Sequence, residues 1–388
     1  MAEKTYVLYG MMASLYTAKV RAWFRYHSVP FIEVCAGSQE FTETIVPVTG
    51  RWIIPVIKTP DGTILQDGTA ILDWLDQEEE NKGSIHTNQP VLQAVAHLFE
   101  LFGGEGLLRP AMHYRWNFDE ENLGFLKMSF RDVLPIVPSE EMHEQLFEHA
   151  SGRMRKATRV FGVNPDSIPS IEAAYDEFMD LAEAHFSQHP FLLGGRPTIG
   201  DYALFGPLFA HLGRDPKPLA LMQKRAPALF QWLERMNAPA GINNHLMVAS
   251  EGKLFAEDAL PQTLLALMRY VAEEYLAEIT AHVDFTNTWL EGKSTSELND
   301  AGKGGLNQRM IGFAEFPWRG QTLSTGVMHY RFWLMQRLTD HLSEQSPEKQ
   351  ADIRSLFART GLEEILDLRI SKRVGRKDNQ EIWEGEQS

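Results

Sequence analysis

The chain has 388 residues and carries 52 acidic against 37 basic side chains, for a formal net charge of −15. A field of that sign repels phosphate backbones and anionic lipid surfaces, which argues against nucleic-acid and membrane-surface partners. Cys35 is the sole cysteine, so an intramolecular disulfide, a Cys-rich zinc site and a CxxC redox pair are excluded. The length favours two domains, or two and an extension, and 44% hydrophobic residues supply their cores. Lys19 and Arg21 interrupt the N-terminal stretch too early for a signal peptide, and no uncharged apolar run approaches the ~18 residues of a membrane span. A soluble, cytoplasmic protein is expected.

Thr5 to Tyr9 is a short β-rich run that ends at Gly10, and Tyr16 to His27 follows with Val20, Trp23 and Phe24 at helical spacing. Val29 to Cys35 reads as a second strand, Glu40 to Val46 as a short helix or turn, and Trp52 to Lys58 as a third strand. Thr59-Pro-Asp-Gly62 is turn chemistry leading into a fourth strand near Thr63 to Leu65. Asp67 then opens an amphipathic helix with Ile71, Leu72 and Leu75 on one face. The order is βαβ and then ββα, and the polar residues 80–90 read as a linker.

Beyond Pro90 helical patterns predominate, with breaks near Gly103-Gly104, Pro135 to Ser139, Asn164 to Pro169 and Pro190 to Pro197. Thr198 to Asp201 is a capping box ahead of the apolar stretch DYALFGPLFAHL. Leu219 to Met236 completes an all-α domain near residue 245. In the remainder, Pro261 to Leu290, Thr325 to Leu342 and Ser346 to Leu368 predict helices, Gly302 to Gly305 a loop, and the last dozen residues a frayed end. Met112-His-Tyr-Arg115 recurs as Met328-His-Tyr-Arg331, too short an echo to define a repeat.

The pattern LYGxxxSxYTxKVRAW from Leu8 to Trp23, Ile54-Pro55-Val56, and Gln66-Asp-Gly-Thr-Ala-Ile71 stand in order at compatible spacings. Together with Thr198 to Asp201 they resemble the glutathione S-transferase family of cytosolic type, over about residues 4 to 240. The chain would be an atypically long, bacterial-type member. The resemblance implies a thioredoxin-like glutathione-binding domain at 1–82 and an all-α transferase domain at 90–245; it does not explain the remainder, 246–388, which reads from its own pattern as a helical extension packed on the α domain. A homodimer with a detoxification role is usual for that family.

Each motif has a plain structural account beside the one the resemblance implies. Ser14 is an ordinary N-cap, or the residue that activates the glutathione sulfur, with Tyr16, Tyr9 and Thr17 as the other candidates. Pro55 begins an edge strand, or follows a cis peptide whose neighbouring backbone, between Ile54 and Val56, pairs with the tripeptide. Asp67 caps a helix, or faces the γ-glutamyl amino group while helix N–H groups take the carboxylate. The family more often has Ser after the acid. Gly68 here offers only its N–H, and Thr69 is a candidate substitute. Arg51 is a surface charge, or the partner of the glycyl carboxylate. Cys35 reads as a small core residue rather than a nucleophile.

His113, Tyr114, Trp116 and Phe118 are core aromatics, or the wall of a pocket for an apolar or aromatic substrate. The histidines show no compact ligand spacing, so no catalytic metal is expected. The resulting expectation is an enzyme that turns the glutathione thiol on a small electrophile by conjugation, dehalogenation, ether cleavage or isomerisation. The competing expectation is a non-catalytic binding or scaffold protein on the same fold. Thiol–disulfide exchange lacks the cysteine that it needs at position 14.

Overall fold

The computed structural model describes residues 5–79, 83–135, 137–238, 244–300 and 309–386. The Gly302–Gly305 loop and part of the 80–90 linker lie outside them. Strand β1 (Tyr6–Gly10), helix α1 (Leu15–Tyr26), strand β2 (Phe31–Cys35), strands β3 (Val56–Lys58) and β4 (Ile64–Gln66), and helix α2 (Gly68–Glu78) follow in the expected order. The sheet order is β2-β1-β3-β4, with β2 parallel to β1 and the other pairs antiparallel. Leu8, Ile57, Trp23 and Ile71 bury one face of the sheet against the two helices.

The helical domain begins with α3 (Pro90–Leu101), and α4 (Leu108–Trp116) continues it beyond a widened turn at Phe102–Gly106. The glycines here do not end the helix as expected. Gly103 instead lets the backbone of Ala203 and Leu204 come close, since a Cβ would lie 2.5 Å from the Leu204 nitrogen. The run from Pro90 to Trp116 is long and apolar enough to cross a membrane, but 89% of its most apolar window is buried inside the protein, as in a core helix. Helices α5 (Asp119–Phe130), α6 (Glu140–Ala157) and α7 (Ile168–Phe186) surround it. The capping box forms as expected at the start of α8 (Ile199–Pro207), where Asp201 accepts from the Thr198 N–H at 2.9 Å. Pro227 splits the stretch before residue 237 into α9 (Pro216–Arg225) and α10 (Pro227–Met236).

The extension departs from the expectation of an all-helical segment. It contains α11 (Gln262–Val271), α12 (Ala277–Leu290), α13 (Tyr330–Ser343) and α14 (Pro347–Arg359), but also two β-hairpins. Strands β5 (Met310–Trp318) and β6 (Gln321–Met328) turn through Arg319 and Gly320, whose φ angles of 45° and 79° suit a two-residue hairpin turn. Strands β7 (Lys372–Lys377) and β8 (Gln380–Glu386) turn through Asp378 and Asn379, at φ of 49° and 63°. The end expected to fray is therefore a paired strand. Thr325 to Met328, expected in a helix, complete β6. The two Met-His-Tyr-Arg segments share no setting, since one lies inside α4 and the other joins β6 to α13.

One hydrophobic cluster runs from Trp23 and Ile71 through Phe102, Tyr202 and Trp232 to Met268, Phe332 and Ile365. Arg337 of α13 ties the units together, donating to Asp73 of α2 at 2.6 and 2.8 Å and to Glu100 of α3 at 2.8 Å.

Candidate functional site

Register decides which motif residues meet. Tyr9 of β1 lies opposite Val56 of β3, and Val56 lies opposite Gln66 of β4. The residues after β1, before β3 and after β4 therefore gather at one end of the sheet. These are the Met11–Ser14 turn, the Ile54–Pro55 peptide, which is cis, and Asp67, whose N–H donates to the Pro55 carbonyl at 3.3 Å.

Ser14 caps α1, its Oγ accepting from the Thr17 N–H at 3.2 Å, and it stays partly exposed. Two buried arginines hold the turn before it. Arg21 donates to the Met11 carbonyl at 2.9 Å, and Arg115 donates to the Ala13 carbonyl at 3.0 Å while gripping Asp215 at 2.7 and 2.9 Å. Sequence reasoning missed Arg115 because its partner lies 100 positions away.

The other activation candidates are placed differently. Tyr9 is buried on the far face of the sheet against Phe41, and its hydroxyl donates to Glu40 at 2.7 Å. The Tyr16 hydroxyl donates to Glu105 at 3.3 Å. Burial and the Glu105 charge push that phenol well above its usual range, so it stays protonated. Thr17 is fully buried beside Gly10. Ser14 alone of the four keeps a partly exposed hydroxyl whose proton is not committed among the described residues.

Ile54 is half-buried, and its backbone N–H and C=O make no hydrogen bond among the described residues. Pro55 and Val56 are buried beneath it. Asp67 has φ of 91°, a region costly for a residue with a Cβ, and its Oδ1 accepts from the N–H groups of Thr69 and Ala70 at 2.9 and 3.0 Å. Gly68 leaves room for the Lys19 side chain, since a Cβ would stand 2.4 Å from Lys19 Cε and the lysine would have to shift. Lys19 in turn donates to Thr69 Oγ1 at 2.7 Å. Burial lowers the Lys19 pKa, opposed by the nearby Asp67 and Glu100 charges. Thr69 is thus already engaged, and Tyr330 of α13 is buried beside it and Asp67.

The extension also reaches Arg51. Its Nη1 donates to Glu381 Oε2 at 2.7 Å, and its Nη2 to Gln66 Oε1 at 3.1 Å and the Asn379 carbonyl at 3.2 Å. Arg376 donates to the same Glu381 carboxylate at 2.9 Å and to Gln66 Oε1 at 3.0 Å. Asn379 Oδ1 accepts from the Gln66 N–H at 2.9 Å, on the open side of β4. Burial works against the Glu381 charge, but Arg51 and Arg376 prevail and hold its pKa at about 2. Arg51 is therefore no solvated charge, and the hairpin turn is part of the site.

The aromatic segment proposed as a pocket wall packs as core instead. Tyr114 stacks on Phe118 with centroids 5.4 Å apart and tilts against Tyr175, while His113 Nε2 lies 3.1 Å from Glu172 Oε1. Trp116 joins Leu126, Phe130 and Phe147, with Arg155 over its ring. Apolar side chains at every turn of a doubly covered helix read alike whether they line a core or a cavity, which is why the sequence left both accounts open. A polar groove of about 510 Å³ lined by Gln89, Glu257, Lys349, Asp352 and Arg359 touches none of the motif residues. Cys35 closes β2, half-buried. Among the described residues no three His, Cys, Asp or Glu side chains group as metal ligands would.

Comparison with known proteins finds two domain matches. Residues 8–83 match the glutathione S-transferase N-terminal domain, and residues 165–235 match the glutathione S-transferase C-terminal domain. No curated protein sequence matches the chain. Among solved structures, a glutathione S-transferase from Methylobacterium radiotolerans in complex with glutathione sulfonate is 16% identical, with 63% of this chain and 94% of that one covered at a TM-score of 0.35. The beta-etherase LigF from Sphingobium sp. strain SYK-6 is 16% identical, with 63% and 98% covered at a TM-score of 0.43. A glutathione S-transferase from Pseudomonas fluorescens is 20% identical, with 59% and 93% covered at 0.33. Similarity of that degree carries nothing about substrate, and the two domain matches, in the expected order on the expected segments, are what decide: the chain carries the N-terminal and C-terminal domains of the glutathione S-transferase family.

Proposed function

We propose that the chain is a glutathione-dependent transferase that ionises the tripeptide thiol at Ser14 and directs it at a small electrophilic substrate. One observation carries the reading. The Ile54 backbone, beside the cis Pro55 and at the same sheet end as Ser14, has both polar groups without a partner among the described residues. Both groups are open to water or to a bound chain, and an extended peptide supplies one donor and one acceptor at strand spacing.

Ser14 fits the chemical step. A thiol of pKa ~8.5 is mostly protonated at neutral pH. Lowering it by two units takes about 2.7 kcal/mol. A hydroxyl donating to the thiolate is worth roughly 1.5–3 kcal/mol and the first turn of α1 roughly 0.3–1 kcal/mol, so together they reach that figure. Arg21 and Arg115 act as positioning residues by fixing the turn that aims Ser14.

A non-catalytic scaffold is the second reading, favoured by the burial of Gln66, Asp67 and Thr69 and by the engagement of Arg51 with Glu381. Titration of the whole chain with glutathione, followed by heat and by thermal shift, separates the two. Saturable binding supports the transferase. Absence of both signals, together with no retention on immobilised glutathione, leaves the scaffold.

A further inference from the structure

The C-terminal hairpin brings a carboxylate of this chain's own onto Arg51, the arginine that is a candidate partner for the glycyl carboxylate of glutathione. Glu381 is 1% exposed at its side chain, and its two oxygens accept separately, one from Arg51 at 2.7 Å and the other from Arg376 at 2.9 Å. Both arginines spend further donors on Gln66 Oε1 and on the Asn379 carbonyl. Gln380 adds a donation to the Thr49 carbonyl at 3.2 Å, and a Cβ on Gly50 would lie 2.5 Å from its Nε2. The segment 49–51 is thus covered by the turn.

The hairpin is anchored well away from its turn. Trp383 stacks at a tilt on Trp289 with centroids 5.8 Å apart, its backbone exchanges two hydrogen bonds with the Asn299 side chain, and Val374 does the same with Gln336. Attachments on both strands make the turn a fixed wall rather than a loosely seated cover.

We propose that Glu381 is a specificity-determining residue: by standing in for a ligand carboxylate on Arg51, it removes the demand for a free carboxylate at the glycyl end of the thiol substrate. This rests on the reading that glutathione binds at Ile54 and Ser14. A ligand carboxylate brought toward Arg51 meets both Nη atoms already committed, a buried Nε as its one donor without a partner among the described residues, and a negative charge already in place. It must then be left in water or lie against Glu381, and neither favours the free acid over an ester. The preferred substrates are thiol peptides, or other thiols, whose corresponding end is neutral.

The test is a comparison of dissociation constants for glutathione and its glycyl monoethyl ester on the full-length protein. The unaltered protein is expected to bind the ester as tightly as the acid, or more tightly. In Glu381→Gln, which keeps the side-chain shape, the competing negative charge beside Arg51 is removed and the ratio should move about tenfold toward the acid. Adding Arg51→Gln should return the ratio to its starting value. A tenfold or greater preference for the free acid in the unaltered protein overturns the proposal, whatever the variants do, and leaves the glutathione reading intact. An unchanged ratio in Glu381→Gln also overturns it. Failure of both tripeptides to bind removes the glutathione reading and this proposal with it.

Discussion

Glu381 Oε2 accepts from Arg51 Nη1 at 2.7 Å across 330 positions of sequence, joining the last strand of the chain to the edge of the first sheet. The contact is nearly dry, with side-chain exposures of 1% for Glu381 and 12% for Arg51. Removing one member of such a pair leaves a buried charge without its counter-charge, which costs about 3–5 kcal/mol. Glu381→Ala is therefore expected to lower the urea unfolding midpoint clearly. Replacing Arg51, Arg376 and Glu381 together with Met, Met and Leu should recover most of the loss, because apolar side chains need no partner. A single variant as stable as the parent would show that the hairpin contributes nothing here.

Substitutions at position 14 and at the tyrosines should separate capping from chemistry. Loss of the Ser14 Oγ acceptance from Thr17 costs about 0.5–2 kcal/mol as a helix cap. If Ser14 also holds the thiolate, Ser14→Ala should reduce kcat/KM toward a nitro-activated aryl chloride by roughly 100-fold, about 2.7 kcal/mol. It should also raise the kinetic pKa of bound glutathione toward the free-thiol value. Tyr9→Phe and Tyr16→Phe should leave that pKa where it was, since both hydroxyls are spent on Glu40 and Glu105. A loss of activity confined to Tyr16→Phe would transfer the role.

Acid should weaken the fold before it reaches the carboxylates. Burial, reinforced by Arg337 and opposed by Glu100, holds His97 at about 4 instead of 6.5, and burial holds His329 at about 4. Both are neutral in the folded protein through the window in which the unfolded chain takes up protons. The unfolded state then binds more protons between about pH 6.5 and 4, so stability falls as pH drops through that window. At about 1.4 kcal/mol per unit, each site withdraws a few kcal/mol by pH 4. Denaturation midpoints measured from pH 7 to pH 4.5 should decline, and less steeply in His97→Gln. A flat profile would mean that these imidazoles take up protons without unfolding.

What the sequence made legible follows the range over which its signals act. The N-terminal elements and the Thr198–Asp201 box rest on local chemistry: turns at Gly10 and Asp61-Gly62, an acid at a helix start, apolar side chains at helical spacing. They appear in the order read, although the third strand begins only at Val56, four residues after the expected Trp52, and lies inside the sheet between β1 and β4 rather than at its edge. The hairpins had local signals too, in Arg319-Gly320 and Asp378-Asn379 between alternating residues. Those were masked by Pro317 in one and by charge in the other. Nothing local marks Arg51 as the partner of Glu381 or Arg115 as the partner of Asp215, because charge complementarity over hundreds of positions has no periodicity. The departure at Gly68 was visible, but its cause was not, since Lys19 lies on another helix.

That departure sets up the last prediction. Lys19 Cε stands 2.4 Å from where a Cβ on residue 68 would be, and the Tyr16 carbonyl stands 3.1 Å from it. Gly68→Ser, which brings the chain closer to the usual family motif, must push the lysine stem aside or break its 2.7 Å bond to Thr69. Overpacking of this kind costs about 1–3 kcal/mol. Lys19→Ala alone should also destabilise, by stripping Thr69 and Asp67 of a buried cation. In Gly68→Ser/Lys19→Ala the clash has gone, and the serine hydroxyl can serve the α2 N-terminus, so the double variant should lose less than the sum of its parts. A coupling of about 1 kcal/mol or more, read from urea unfolding of the four proteins, establishes that the two positions share one space. Strict additivity would place the steric conflict with the Tyr16 carbonyl instead. Glutathione affinity of the double variant then reports whether the hydroxyl takes over the ligand contact that Gly68 lacks.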